Sequence, residues 1–165
     1  MENRTLPWQM GEPLYPTHSR ILEPAQMARV INRAKRPLVV VGSLLKESKI
    51  DLLNYVIGLS KARNWPVVAS PNLSKDFLTL GFKPTAIMSV LELVNLIVDP
   101  KWQGFDEKAQ YDLLIFLGVL PLLANQAFFT TKHFAEVIAI SIGQYYEPNA
   151  TFSFPNLTDE EWLLW

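Results

Sequence analysis

Three short, unbroken apolar runs set the limits on what this chain can fold into. They are Leu38-Val39-Val40-Val41, Val67-Val68-Ala69 and Leu113-Leu114-Ile115-Phe116-Leu117. A strand wetted on one face alternates apolar with polar residues. A continuous β-branched run belongs instead to a strand covered on both faces, as in a parallel sheet. Val137-Ile138-Ala139-Ile140 reads as a fourth such strand. Parallel neighbours need a crossover between them. Strands that alternate with helical segments therefore imply βαβ units. The expectation is one α/β domain over residues 24–165, with a mainly parallel sheet between helical layers.

The segments between the runs carry helical periodicity. Pro24 suits a first turn, and Met27, Val30, Ile31 and Ala34 follow the i, i+3, i+4, i+7 rule. This helix must stop before Pro37. From Ser48 to Asn64, Ile50, Leu53 and Ile57 oppose a polar face of Asp51, Asn54, Gly58 and Lys61. Ser74 to Leu80 predicts a short helix. Ser89 and Glu92 form a capping box for another, with Val90, Leu93, Val94 and Ile97 as its buried stripe and Asp99-Pro100 as its stop. Residues 101–110 read as a polar loop in which Trp102 and Phe105 pack. Pro121 opens a helix to about Phe134.

Two expectations concern the C-terminal part. Thr151 to Phe154 alternates polar with apolar, which predicts an edge strand. Thr158 and Glu161 cap a last helix that the pattern expects to continue past Trp165 or to be completed by packing. Phe128-Phe129 and Trp162-Leu163-Leu164-Trp165 exceed what a small core is expected to bury, which favours self-association.

Residues 1–23 differ from the rest. Pro7, Pro13 and Pro16 block a helix, and Trp8, Met10, Leu14 and Tyr15 stand between them. An extended arm with aromatic anchors either packs on its own domain or docks on another chain.

Composition removes several function classes. Cysteine is absent, so disulfides, thiol chemistry and cysteine-held clusters are excluded. The only two histidines, His18 and His133, lie far apart, and a metal site needs three or four ligands. A net charge of −1 gives no footprint for nucleic acid. No apolar run approaches a membrane span. The first residues lack the apolar core of a secretory leader, so a cytoplasmic protein is expected.

Ligands of open α/β sheets bind beyond the carboxyl ends of the strands, where the strand order reverses. That rule gathers Gly42-Ser43-Leu44, Ser70-Pro71-Asn72, Gly118-Val119-Leu120 and Ser141 at one edge. Gly42, Ser43, Leu44, Gly118 and Val119 are the candidate lining of a flavin or nucleotide crevice. The two glycines serve either close approach to a ligand or tight turns. Neither G-x-G-x-x-G nor G-x-x-x-x-G-K-[ST] occurs, so the usual phosphate cradles are missing. No catalytic set emerges. Ser43 and Ser70 lack a histidine partner, and Asp106-Glu107 and Asp159-Glu160-Glu161 read as solvated charges. Lys46 could lie near the crevice.

Three stretches carry a family resemblance. They are Arg33-Ala34-Lys35-Arg36-Pro37-Leu38-Val39-Val40-Val41-Gly42, Trp65-Pro66-Val67-Val68-Ala69 and Tyr111-Asp112-Leu113-Leu114-Ile115-Phe116-Leu117-Gly118. From about Pro24 onward the chain resembles the epsilon subunits of archaeal acetyl-CoA decarbonylase/synthase complexes. The resemblance implies a three-layer Rossmann-like fold of the deoxyhypusine-synthase type, which elsewhere binds NAD or FAD. It implies a partner, the catalytic alpha subunit of carbon monoxide dehydrogenase, in an α2ε2 assembly. The nickel–iron–sulfur and iron–sulfur clusters would then sit in that partner. The family role implied is to stabilise alpha and to aid electron transfer to a flavin. No catalytic residue carries over. A flavin- or nucleotide-binding module and an NAD-dependent enzyme are the competing readings.

Overall fold

The computed structural model describes residues 4–6, 18–47 and 51–165. The arm residues Trp8, Met10, Leu14 and Tyr15 lie outside that set, as do Ser48 and Ile50.

Among the described residues, seven strands form one sheet in which every pairing is parallel. They are β1 (Arg20–Ile21), β2 (Pro37–Val41), β3 (Val67–Ala69), β4 (Ala86–Ile87), β5 (Leu113–Leu117), β6 (Ile138–Ser141) and β7 (Phe152–Ser153). Their order is β1-β7-β6-β5-β2-β3-β4. The helices are α1 (Pro24–Arg33), α2 (Leu52–Arg63), α3 (Ser74–Thr79), α4 (Val90–Val98), α5 (Pro121–Phe134) and α6 (Asp159–Leu164). Among the described residues no helix is long and apolar enough to cross a membrane.

The pleat divides the apolar runs between two cores. Val39, Val41, Val67, Ala69, Ile115 and Leu117 face Met27 of α1, Val56 and Ile57 of α2 and Phe77 of α3. Leu38, Val40, Val68, Leu114 and Phe116 face the other way, onto α4 and α5. Every residue of β2, β3 and β5 is buried, which is why these strands do not alternate. The three-layer expectation holds.

Local signals place the helix ends. Ser89 Oγ accepts from the Glu92 N–H, and Glu92 accepts from the Ser89 N–H at 2.8 Å. Val90, Leu93, Val94 and Ile97 are all buried, as their spacing predicts. Asp51 caps α2 by accepting from the Asn54 N–H. Asn64 ends that helix in the left-handed region with φ of 53°.

Three expectations need correction. The strand at Phe152–Ser153 is not an edge, because β1 pairs with it on its outer side. The Arg20 N–H donates to the Thr151 carbonyl and the Leu22 N–H to the Ser153 carbonyl. A two-residue strand is too short to show a period, and β4 escaped notice for the same reason. Phe128 is not surplus apolar surface. It is fully buried, 4.5 Å ring to ring from Phe116. Of the last four residues, only Leu163 and Leu164 are exposed. Trp165 meets the edge of Phe154 at 5.2 Å, and the Trp162 indole donates to the Ile142 carbonyl.

Candidate functional site

The strand order reverses between β2 and β5. From β2 the chain moves outward to β3, and from β5 it moves the opposite way to β6. The residues that follow these two strands are Gly42 and Gly118, and they are packed on each other. The Gly42 N–H donates to the Leu117 carbonyl at 2.9 Å, and the Leu44 N–H donates to the Gly118 carbonyl at 2.9 Å. A Cβ on Gly42 would meet the Gly118 oxygen and the Val119 Cα, both at 2.4 Å. Gly118 has φ of +64°, and a Cβ there would strike the Leu45 side chain at 2.8 Å. The space left by both absent side chains is filled by protein.

The open space lies one strand over. A cavity of about 220 Å³ sits at the carboxyl ends of β5 and β6. Leu44, Leu45, Gly118 and Val119 form one wall, and Pro121, Ala124 and Phe128 of α5 another. Ser141 ends β6, Gly143, Gln144, Tyr145 and Glu147 follow it, and Asp159, Trp162 and Leu163 of α6 line the cavity with Glu47. Of the candidate crevice residues, Leu44, Gly118 and Val119 line this cavity. Gly42 and Ser43 are not among its walls, nor are Ser70, Pro71 and Asn72.

The polar side of the cavity is acidic. Gln144 Nε2 donates to Asp159 Oδ1 at 2.9 Å and to the Leu157 carbonyl at 3.1 Å, which ties the β6 loop to α6. Burial raises the Tyr145 phenol above its ordinary pKa, and the negative charges of Asp159 and Glu47 raise it further. The Tyr145 hydroxyl therefore stays protonated at neutral pH. No Lys, Arg or His is among the described lining residues.

Lys46 is engaged elsewhere. Its Nζ lies 2.6 Å from Asp76 Oδ2 and donates to the Asn72 carbonyl at 2.7 Å. The His133 ring lies tilted against that of Phe129, and His18 is exposed. Among the described residues no group of three or more His, Asp or Glu could hold a metal ion.

A flavin dinucleotide does not fit these residues. Its pyrophosphate needs backbone N–H groups that glycines leave approachable, or a cation. Here Gly42 and Gly118 are packed on each other, and the charged residues of the described lining are carboxylates. The α5 N-terminus opens toward the cavity and favours an anion by about 0.3–1 kcal/mol. Pro121 at its first position removes one of the N–H donors.

Sequence reasoning missed Glu47, Gln144, Tyr145, Glu147, Asp159 and Trp162. Only Ser141, at the end of an expected strand, pointed to this side of the edge. The rest stand on irregular chain and on a helix whose docking position no local pattern encodes.

The comparisons converge on one family. The family model described as CO dehydrogenase beta subunit/acetyl-CoA synthase epsilon subunit matches residues 1–165. The chain is 32% identical over 164 residues to the acetyl-CoA decarbonylase/synthase complex subunit epsilon of Methanothermobacter thermautotrophicus, covering 99% of this chain and 93% of the relative. It is 36% identical to subunit epsilon 1 of Archaeoglobus fulgidus, over 86% of this chain and 77% of the relative. Subunit epsilon 1 of Methanosarcina barkeri is 34% identical, over 87% of this chain and 83% of its own length.

Proposed function

The chain belongs to the CO dehydrogenase beta subunit/acetyl-CoA synthase epsilon subunit family, and from that membership we propose that it is a non-catalytic subunit of an acetyl-CoA decarbonylase/synthase complex. It binds the large catalytic alpha subunit of the carbon monoxide dehydrogenase component, in an α2ε2 assembly, and stabilises it. The observation that carries this reading is the match along the whole chain to subunits named for that complex. A cysteine-free sequence supports it, since cluster chemistry then falls to the partner.

The surface supports it as well. Leu120 and Leu122 flank the cavity wall at Pro121 and are 44% and 55% exposed, and Leu164, next to Leu163, is 86% exposed. Exposed apolar residues beside a recess suit a contact with another protein. The stabilising role follows from mass action, because a partner that binds only the folded alpha subunit raises its stability.

The test is reconstitution with the purified alpha subunit. The expected result is co-elution in size-exclusion chromatography and a higher alpha-subunit melting temperature in the mixture. The chain alone is expected to show no CO oxidation. Separate elution with an unchanged melting temperature would overturn the reading.

A further inference from the structure

The first and last described segments of the chain are in contact. The Asn156 N–H donates to the Arg4 carbonyl at 2.9 Å, and Asn156 Nδ2 donates to the Leu6 carbonyl at 2.8 Å. The Arg4 guanidinium pairs with Glu161 Oε2, the oxygen that also accepts the Thr158 N–H at the start of α6. Asn156 thus holds residues 4–6 through two of its groups. Its Oδ1 holds a third element, by accepting the Tyr146 N–H at 2.9 Å.

These contacts bear on the cavity because of what surrounds Asn156. α6, which follows it, supplies Asp159, Trp162 and Leu163 to the cavity wall. The loop that carries Tyr146 supplies Tyr145 and Glu147. A helix of six residues has little stability of its own, so its position depends on its anchors. The Trp162 indole and the Trp165 ring anchor its body. Arg4 and Leu6 anchor the turn that leads into it. The ion pair adds little, because its side chains are 45% and 40% exposed. The two carbonyl contacts at Asn156 carry the attachment.

We propose that residues 4–6 are a strap that holds α6 in place as a wall of the cavity, and that α6 swings open when the strap leaves Asn156. The proposal goes beyond the accessory-subunit reading and does not depend on it. One hydrogen bond of this kind shifts a local opening equilibrium by about two- to tenfold. Opening bares the α5 side of the cavity, where Ala124 is only 3% exposed. Ala127 of the same helix is fully buried in the second core and is not part of the cavity wall.

The test exploits the absence of cysteine. Ala124→Cys reports access to the cavity, and Ala127→Cys reports loosening of the core. Thiol-labelling rates are measured for each reporter in four backgrounds: the full chain, Asn156→Ala, the chain lacking residues 1–6, and the two changes combined. At position 124 each change is expected to raise the rate by about two- to tenfold. The combination is expected to fall short of the product of the two, since both break the same contact. At position 127 the rate is expected to stay unchanged. A rate at position 124 that does not rise on removal of residues 1–6 overturns the strap. Effects that multiply in full in the combination also overturn it, because Asn156 then acts without residues 4–6. An equal rise at both reporters overturns it too, because the whole domain has then loosened. Every outcome is read on the chain by itself, so each leaves the accessory-subunit reading standing.

Discussion

A Cβ on Gly42 would stand 2.4 Å from the carbonyl oxygen of Gly118. The contact is backbone on backbone, so no side chain can swing away to relieve it. Two loops that leave adjacent strands in opposite directions are thereby held in backbone contact. This locks the reversal point of the sheet and displaces the open cavity toward β6.

Alanine at Gly42 is expected to destabilise the domain by about 1–3 kcal/mol or more, as overpacking does. Alanine at Gly118 adds the left-handed cost of about 1–2 kcal/mol to its clash with Leu45. Gly58 gives the opposite sign. It lies in α2, and a Cβ there meets nothing within 4 Å. Gly58→Ala is expected to stabilise by about 0.5–1 kcal/mol. Urea unfolding midpoints of the three variants order them as Gly58→Ala above the unaltered chain and the other two below it.

Ser89 carries the start of α4. Its hydroxyl accepts from the Glu92 N–H, and its own N–H donates to the Glu92 carboxylate. Ser89→Ala is expected to cost about 1 kcal/mol. The hydrogen bond from the Ser89 backbone lowers the Glu92 pKa from its ordinary value, and the Ser89 hydroxyl contact adds to this. A depressed carboxylate stabilises the fold above its unfolded pKa, and that contribution is lost as pH falls through the folded value. The loss in Ser89→Ala is therefore expected to be larger at pH 7 than at pH 3 in thermal melts.

How much the sequence disclosed follows from the range of each signal. Leu38 to Val41 and Leu113 to Leu117 declared two-sided burial through their own composition, and Ser89 with Glu92 declared a cap within four residues. The parallel sheet and the helix order were legible for that reason. Arg20–Ile21 and Ala86–Ile87 were not, because two residues carry no period and their pairing is set by distant strands. Gly42 and Gly118 were correctly placed at the reversal edge. Whether their missing side chains admit a ligand or another backbone depends on a separation across the sheet, which no spacing along the chain encodes. Glu47, Glu147 and Asp159 meet only once α6 docks, so their shared wall was invisible in the sequence.

Arg36 pins the loop that leads into β5. Its guanidinium donates to Asp106 Oδ1 at 2.6 Å, to Asp106 Oδ2 at 3.3 Å and to the Ala109 carbonyl at 3.0 Å. It also donates to the Gln110 carbonyl and lies 5.5 Å from the Tyr111 ring centroid. Arg36→Met is expected to cost about 0.5–1.5 kcal/mol, mainly through the part-buried Ala109 carbonyl left without this donor. The hydrogen bond from Arg36 holds the Asp106 carboxyl below its ordinary pKa. Its stabilising effect is present above the ordinary carboxylate range and disappears as pH falls through the folded value. A melting temperature that declines less steeply with acid in Arg36→Met than in the unaltered chain is the expected result. Equal slopes would show that the pair contributes nothing to acid sensitivity.

Phe128 links the second core to the cavity. It is fully buried against Phe116 from β5, yet part of its surface forms the cavity wall. Phe128→Ala removes the ring contact and enlarges an existing space that the rigid β5 cannot collapse to fill. The expected loss is about 3–5 kcal/mol. Phe134, six residues further along α5, is 67% exposed, and its alanine variant is expected to change stability by no more than about 0.5 kcal/mol. The comparison separates burial from helix propensity, because both positions gain the same preference of alanine for a helix. Urea unfolding of the two variants measures the difference. A loss at Phe128 no larger than at Phe134 would mean that the α5–β5 contact does not hold this face of the sheet.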